Sequence, residues 1–118
     1  MERACEVYFN PSCSKCQKVR TLLEGEGVTP TYREYLTVAP SRAELERLMV
    51  LLRTDDPRTM MRTGERLYEE LGLASASRDA LLDALVQHPS LLERPIVIVG
   101  DRAVIARPPE KVEELLRR

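Results

Sequence analysis

The stretch FNPSCSKC, residues 9–16, decides how the rest of the chain is read. It puts a break of Asn10, Pro11 and Ser12 between two patterns, and two cysteines three residues apart just after it. Ahead of the break, Cys5–Phe9 alternates and is rich in strand formers, which predicts a first strand. Behind it, Cys16, Val19, Leu22 and Leu23 recur at helical spacing, so a helix is expected from Cys13 or Ser14 to Glu26. Gly25 and Gly27 end that helix. TPTYREYL, residues 29–36, reads as a second strand.

The middle of the chain is helical. Ser41 and Glu44 make a capping-box pattern ahead of Leu45, Leu48, Met49 and Leu52. A short turn and a helix near residues 65–71 follow. A third helix is expected over Arg78–Gln87, with Leu81, Leu82 and Leu85 inward, stopped by His88 and Pro89. In RPIVIVGDRAVIAR, residues 94–107, the period changes to two β-rich runs around Gly100 and Asp101, a two-residue hairpin signal. A last helix carries Val112, Leu115 and Leu116 behind Pro108 and Pro109. The order is β-α-β, helices, β-β-α. This is an α/β fold with a mixed four-stranded sheet: the β-α-β unit makes two strands parallel, and the hairpin adds antiparallel ones. A single domain over residues 1–118 is expected, with a helical insertion at about 40–90.

The 118 residues hold 43% hydrophobic and 31% charged residues, 18 Lys+Arg against 19 Asp+Glu, for a formal net charge of −1. That balance argues against a nucleic-acid or membrane partner. No apolar run reaches the roughly 20 residues of a membrane helix. The charged start MERACEV is no signal peptide, so a cytoplasmic protein is expected. Three cysteines cannot close a disulfide framework, and cytoplasmic thiols stay reduced. One C-x-x-C with one distant histidine offers too few soft ligands for a structural zinc.

The pair is therefore read as chemistry. A C-x-x-C opening the first helix of a β-α-β unit is a thioredoxin-like redox pattern. Cys13 stands where unpaired helix N–H groups and the helix dipole favour negative charge. Such positions lower a thiol's pKa from roughly 8.5 to about 3.5–7.5, which makes Cys13 the candidate nucleophile. Cys16, one turn on, is the candidate resolving thiol, with a small buried core residue as the other reading. The helix N-terminus also suits an oxyanion, if arginines complete the site. His88 is read as a structural residue at a helix end, and Cys5 as part of the strand.

NPSCSK, YEELGL, QHPSLLERPIVIV and ARPPE together resemble the arsenate reductases of the glutaredoxin-linked ArsC type and their relatives, the Spx-like regulators. The resemblance implies a thioredoxin-like fold with a helical insertion, and a loop cysteine, Cys13, that attacks arsenate. It places the oxyanion-holding arginines at Arg62, Arg94 and Arg107, with Ser12 and Ser14 of the loop in the substrate-binding set. It also matches the peptide before Pro95 to a cis-proline. No cofactor or metal is expected to be bound. The reductant is glutathione with glutaredoxin, or thioredoxin; the partners are arsenate and that redoxin, and the chain is expected to be a monomer. This sequence departs from the pattern at Phe9, where relatives often carry His, at Cys16 for Ser and at Gln17 for Arg. Two alternatives follow: an Spx-like redox regulator that binds RNA polymerase, or a general thiol–disulfide oxidoreductase.

Overall fold

In the computed structural model, which describes residues 4–117, the run of β-branched and aromatic residues ahead of Asn10 forms β1 (Cys5–Phe9). The helix α1 (Ser14–Gly25) follows, then β2 (Thr31–Glu34), α2 (Arg42–Leu52), α3 (Arg66–Glu70), α4 (Arg78–Gln87), β3 (Ile96–Val99), β4 (Arg102–Ile105) and α5 (Glu113–Leu116). Residues 1–3, where the charged start was read, lie outside the described residues. The chain divides into two units. One holds the residues up to Val38 and those from Arg94 on; the other is Ala39–Glu93.

The first unit carries the sheet, in the order β2-β1-β3-β4. β1 runs parallel to β2, pairing Val7 with Tyr32, and antiparallel to β3, pairing Val7 with Val97. β3 and β4 close the hairpin, with Val97 opposite Val104. The mixed α/β sheet expected from the sequence is thus present. Gly100 takes a left-handed φ of 62° in its turn, which suits a residue without a Cβ. Alternation sends Val7, Phe9, Val97 and Val99 to one face, where they form a buried cluster with Cys16, Val19 and Leu23 of α1. Ala106, Val112 and Leu115 complete the cluster.

α1 ends as its glycines foretell. Gly27 is left-handed, its N–H donates to Glu24, and the N–H of Val28 donates to Leu23, the paired bonds of a Schellman motif. β2 is shorter than the pattern suggested. After Glu34 the chain turns, and the Glu34 carbonyl accepts the N–H groups of both Thr37 and Val38, which takes Tyr35 and Leu36 out of the ladder. The last helix also differs. Pro109 opens a 3₁₀ turn over Pro109–Val112, and only Glu113–Leu116 is α-helical.

The second unit is built from helices and turns. The capping box at α2 is complete: the Glu44 N–H donates to the Ser41 hydroxyl, and the Ser41 N–H donates to the Glu44 carboxylate. Leu45, Leu48 and Met49 of α2 and Leu81, Leu82 and Leu85 of α4 are buried. α2 ends on Arg53 at a left-handed φ of 60°. The helix α4 spans the residues expected and stops at His88, whose N–H still reaches the Ala84 carbonyl.

Candidate active site

The loop between β1 and α1 is shaped by Asn10. Its side-chain oxygen accepts the Ser12 N–H at 2.9 Å, and its carbonyl accepts the Cys13 N–H at 3.0 Å. The side-chain amide of Gln17, one turn into the helix, donates to the Pro11 carbonyl at 2.8 Å. Cys13 is then the N-cap of α1, in extended geometry with φ −96° and ψ 123°. Its carbonyl accepts the first helical N–H, that of Gln17, at 3.1 Å.

This position sets the charge preference of the sulfur. Partial burial pushes the Cys13 thiol up. The N–H of Cys16, the Cys16 thiol, the N–H of Lys15 and the Arg94 guanidinium outweigh that, so its pKa lies below the ordinary 9.0. The sulfur makes no capping hydrogen bond of ordinary geometry as a thiol. A thiol is a poor acceptor, and the N–H groups act on it chiefly as a thiolate.

Cys16 is the opposite case. It is wholly buried, and desolvation pushes its pKa up to about 12; the Asn10 N–H works against the rise, and the negative charge of Cys13 adds to it. The Asn10 N–H reaches the Cys16 sulfur at 3.5 Å. The two thiols of the pair are therefore shifted in opposite directions, Cys13 downward and Cys16 upward. Both are free thiols here.

Arg94 precedes Pro95 through a cis peptide bond, and Arg107 precedes Pro108 through another. The Arg107 guanidinium donates to the Arg94 backbone carbonyl at 3.0 Å. Ser12 and Ser14 flank Cys13 and are exposed. Arg62 belongs to the second unit. There it donates to the Ser90 carbonyl at 3.4 Å and to the Glu65 carboxylate at 3.2 Å. Cys5 is half-buried in β1, and desolvation pushes its pKa up to about 11. Among the described residues, no group of three or more His, Cys, Asp or Glu side chains is placed to hold a metal ion, and no helix is long and apolar enough to cross a membrane.

The roles of Asn10 and Gln17 in shaping the loop were missed by sequence reasoning. An Asn two residues before a Ser is a known turn former, but nothing in the spacing says that Gln17 reaches back to Pro11.

Comparison with known proteins bears out the resemblance. The sequence model of the ArsC family matches residues 8–115. An arsenate reductase of Haemophilus influenzae is 45% identical over 93% of this chain and 97% of its own length. The uncharacterised protein YfgD of Escherichia coli is 42% identical over 98% of this chain and 99% of its own. A solved arsenate reductase from Vibrio cholerae superposes with a TM-score of 0.92 at 43% identity, covering 97% of this chain and 98% of that one.

Proposed function

We propose, from the premise that this chain belongs to the ArsC family, that it reduces arsenate to arsenite with Cys13 as nucleophile. The observation that carries the reading is the Cys13 sulfur at the N-cap of α1, its pKa lowered with the Arg94 charge among the causes. Arg107, joined to the Arg94 carbonyl, supplies a second guanidinium. Arg62 of the other unit is assigned as the third, from the family match. The arginines stabilise charge on the oxyanion as it reacts. Ser12 and Ser14 assist in the loop.

In the first step the Cys13 thiolate attacks arsenic. A sulfur–arsenic bond forms, and an oxygen of arsenate leaves, protonated, as water. A second thiolate then attacks the Cys13 sulfur of the adduct. A disulfide forms, the electron pair of the sulfur–arsenic bond stays with arsenic, and arsenite departs. Two thiols are oxidised to one disulfide, and As(V) becomes As(III). The second thiol is Cys16 or external glutathione. The Cys16 route ends in a Cys13–Cys16 disulfide opened by thioredoxin; the glutathione route ends in a mixed disulfide cleared by glutaredoxin. A cytoplasmic location fits this reading, because that compartment keeps such thiols reduced.

Arsenate-dependent NADPH oxidation tests this, with glutathione plus glutaredoxin in one arm and thioredoxin plus its reductase in the other. Wild type turns over and Cys13→Ser does not. Loss with Cys16→Ser assigns the internal disulfide; survival assigns the external thiol. Folded wild-type protein with a titratable Cys13 and no turnover in either arm would overturn the proposal.

A further inference from the structure

We infer that Asn10 and Gln17 are positioning residues for the nucleophile, holding Cys13 at the helix N-cap without touching substrate. The inference extends the reading of Cys13 as nucleophile and rests on it. Its basis is how many bonds converge on one three-residue turn. Asn10 alone makes three: its side-chain oxygen takes the Ser12 N–H, its carbonyl takes the Cys13 N–H, and its own N–H goes to the Cys16 sulfur. It therefore contacts the segments of both thiols. Gln17 closes the turn from the other side, through the Pro11 carbonyl.

The bonds matter because of what they leave over. The Cys13 N–H is spent on Asn10, and the Gln17 N–H on the Cys13 carbonyl. The N–H groups of Lys15 and Cys16, which favour the thiolate, stay directed at the sulfur only while Cys13 keeps its extended backbone. Pro11 cannot donate a backbone hydrogen bond, so it does not tie the turn itself. If the turn opens, Cys13 can wind into α1 as an ordinary helical residue. A helical side chain then leans back over the preceding turn, and the sulfur leaves the axis on which those N–H groups act.

The two contacts are side-chain contacts at the protein surface, so they can be removed singly. Asn10→Ala removes the acceptor for Ser12. Asn10→Ser restores a neutral oxygen able to make the same kind of turn. Gln17→Met keeps the length and removes the donor. The readout is the rate at which Cys13, followed by mass spectrometry of its peptide, reacts with iodoacetamide from pH 5 to 9. This reagent needs no arsenate, so the outcome does not depend on the substrate assignment. Melting temperature is recorded alongside.

Asn10→Ala and Gln17→Met should each slow the reaction at pH 6 by about two- to tenfold, the span of one neutral hydrogen bond. The pH midpoint should move upward, and Asn10→Ser should recover most of the rate. With arsenate, kcat should fall while KM stays close to wild type. If both variants react at the wild-type rate with the wild-type midpoint, the inference is overturned, whether or not their melting temperatures drop. If Asn10→Ser reacts as slowly as Asn10→Ala, the side-chain oxygen is not what positions Cys13, and the inference is overturned as well.

Discussion

Cys16 is where the structure makes its sharpest quantitative claim. The Cys16 thiol is wholly buried and keeps its proton to a pKa of about 12, with desolvation as the main cause. Its side-chain hydrogen bond is among the groups that lower the pKa of Cys13. A hydrogen bond to a charged partner contributes roughly 1.5–3 kcal/mol. The Cys13 sulfur is partly exposed, so the low end applies, and about 1.4 kcal/mol is a tenfold change in thiolate population. Cys16→Ala should therefore slow the iodoacetamide reaction of Cys13 at pH 6 by about tenfold. Cys16→Ser keeps a hydroxyl that can accept from the Asn10 N–H and donate to Cys13, and should stay within about threefold of wild type. The two variants share the loss of any Cys13–Cys16 disulfide, so redox chemistry cannot explain a difference between them. Packing is separable too. Removing the sulfur from the buried cluster should cost about 0.5–1.5 kcal/mol, as for one methyl-sized group, and shows in the urea midpoint. Equal reaction rates for Cys16→Ala and wild type would refute the reasoning. So would Cys16→Ser falling as far as Cys16→Ala.

Three further outcomes are expected. Arg107→Ala removes a guanidinium and its bond to the Arg94 carbonyl; kcat/KM for arsenate should fall about 10²–10³-fold by steady-state kinetics, and a loss below tenfold would count against its role. Cys5 and Cys16 have folded pKa values raised from 9.0 to about 11 and about 12. The folded chain thus holds protons that the unfolded chain gives up, so this stabilisation is complete below about pH 9 and is lost as pH rises through those values. Between pH 8 and 10.5 the urea midpoint of wild type should fall further than that of Cys16→Ser. Arg53→Gly relieves a left-handed residue at the end of α2. That conformation costs roughly 1–2 kcal/mol for a residue with a Cβ, and the added freedom of unfolded glycine takes back about 0.5–1 kcal/mol. A net gain of about 0.5–1 kcal/mol in denaturant unfolding is expected, and a loss would show that Arg53 is held there by other contacts.

What could be read from the sequence was whatever depends on local period. α4 follows from Leu81, Leu82 and Leu85 between Ser77 and His88, and the hairpin from Gly100 between two β-branched runs. The capping box at Ser41 and Glu44 is a contact three residues long, and it formed as written. The misses have another origin. β2 stops at Glu34 because one carbonyl takes two turn N–H groups, which composition does not encode. The last helix was expected behind Pro108 and Pro109, but Pro109 is itself the first residue of a 3₁₀ turn that precedes the α-helix. At the site, Cys13 could be named from its place after Asn10-Pro11-Ser12. The bond from Arg107 to Arg94 could not, since it joins a side chain to a backbone carbonyl 13 residues away, outside the paired positions of the hairpin.

Phe9 gives the electrostatic scheme its character. Where relatives often carry an imidazole, this chain has a ring that is 3% exposed, 4.9 Å from the Tyr32 ring and with the Arg20 guanidinium 6.0 Å from its centroid. That position serves the core. The chain's one histidine, His88, closes α4 in the other unit. Stabilisation of the Cys13 thiolate falls instead on two backbone N–H groups, a thiol that holds its proton to about 12, and an arginine. Neither the N–H groups nor a thiol that holds its proton to about 12 changes its charge between pH 5 and 8, whereas an imidazole does so in that range. A site built this way does not lose its activating charge as pH rises through neutrality. Its dependence shifts from protonation to geometry: dipoles act only while aimed, and their effect falls within the first turn. That is why the turn at Asn10 and the reach of Gln17 back to Pro11 carry weight here that a neighbouring imidazolium would make unnecessary.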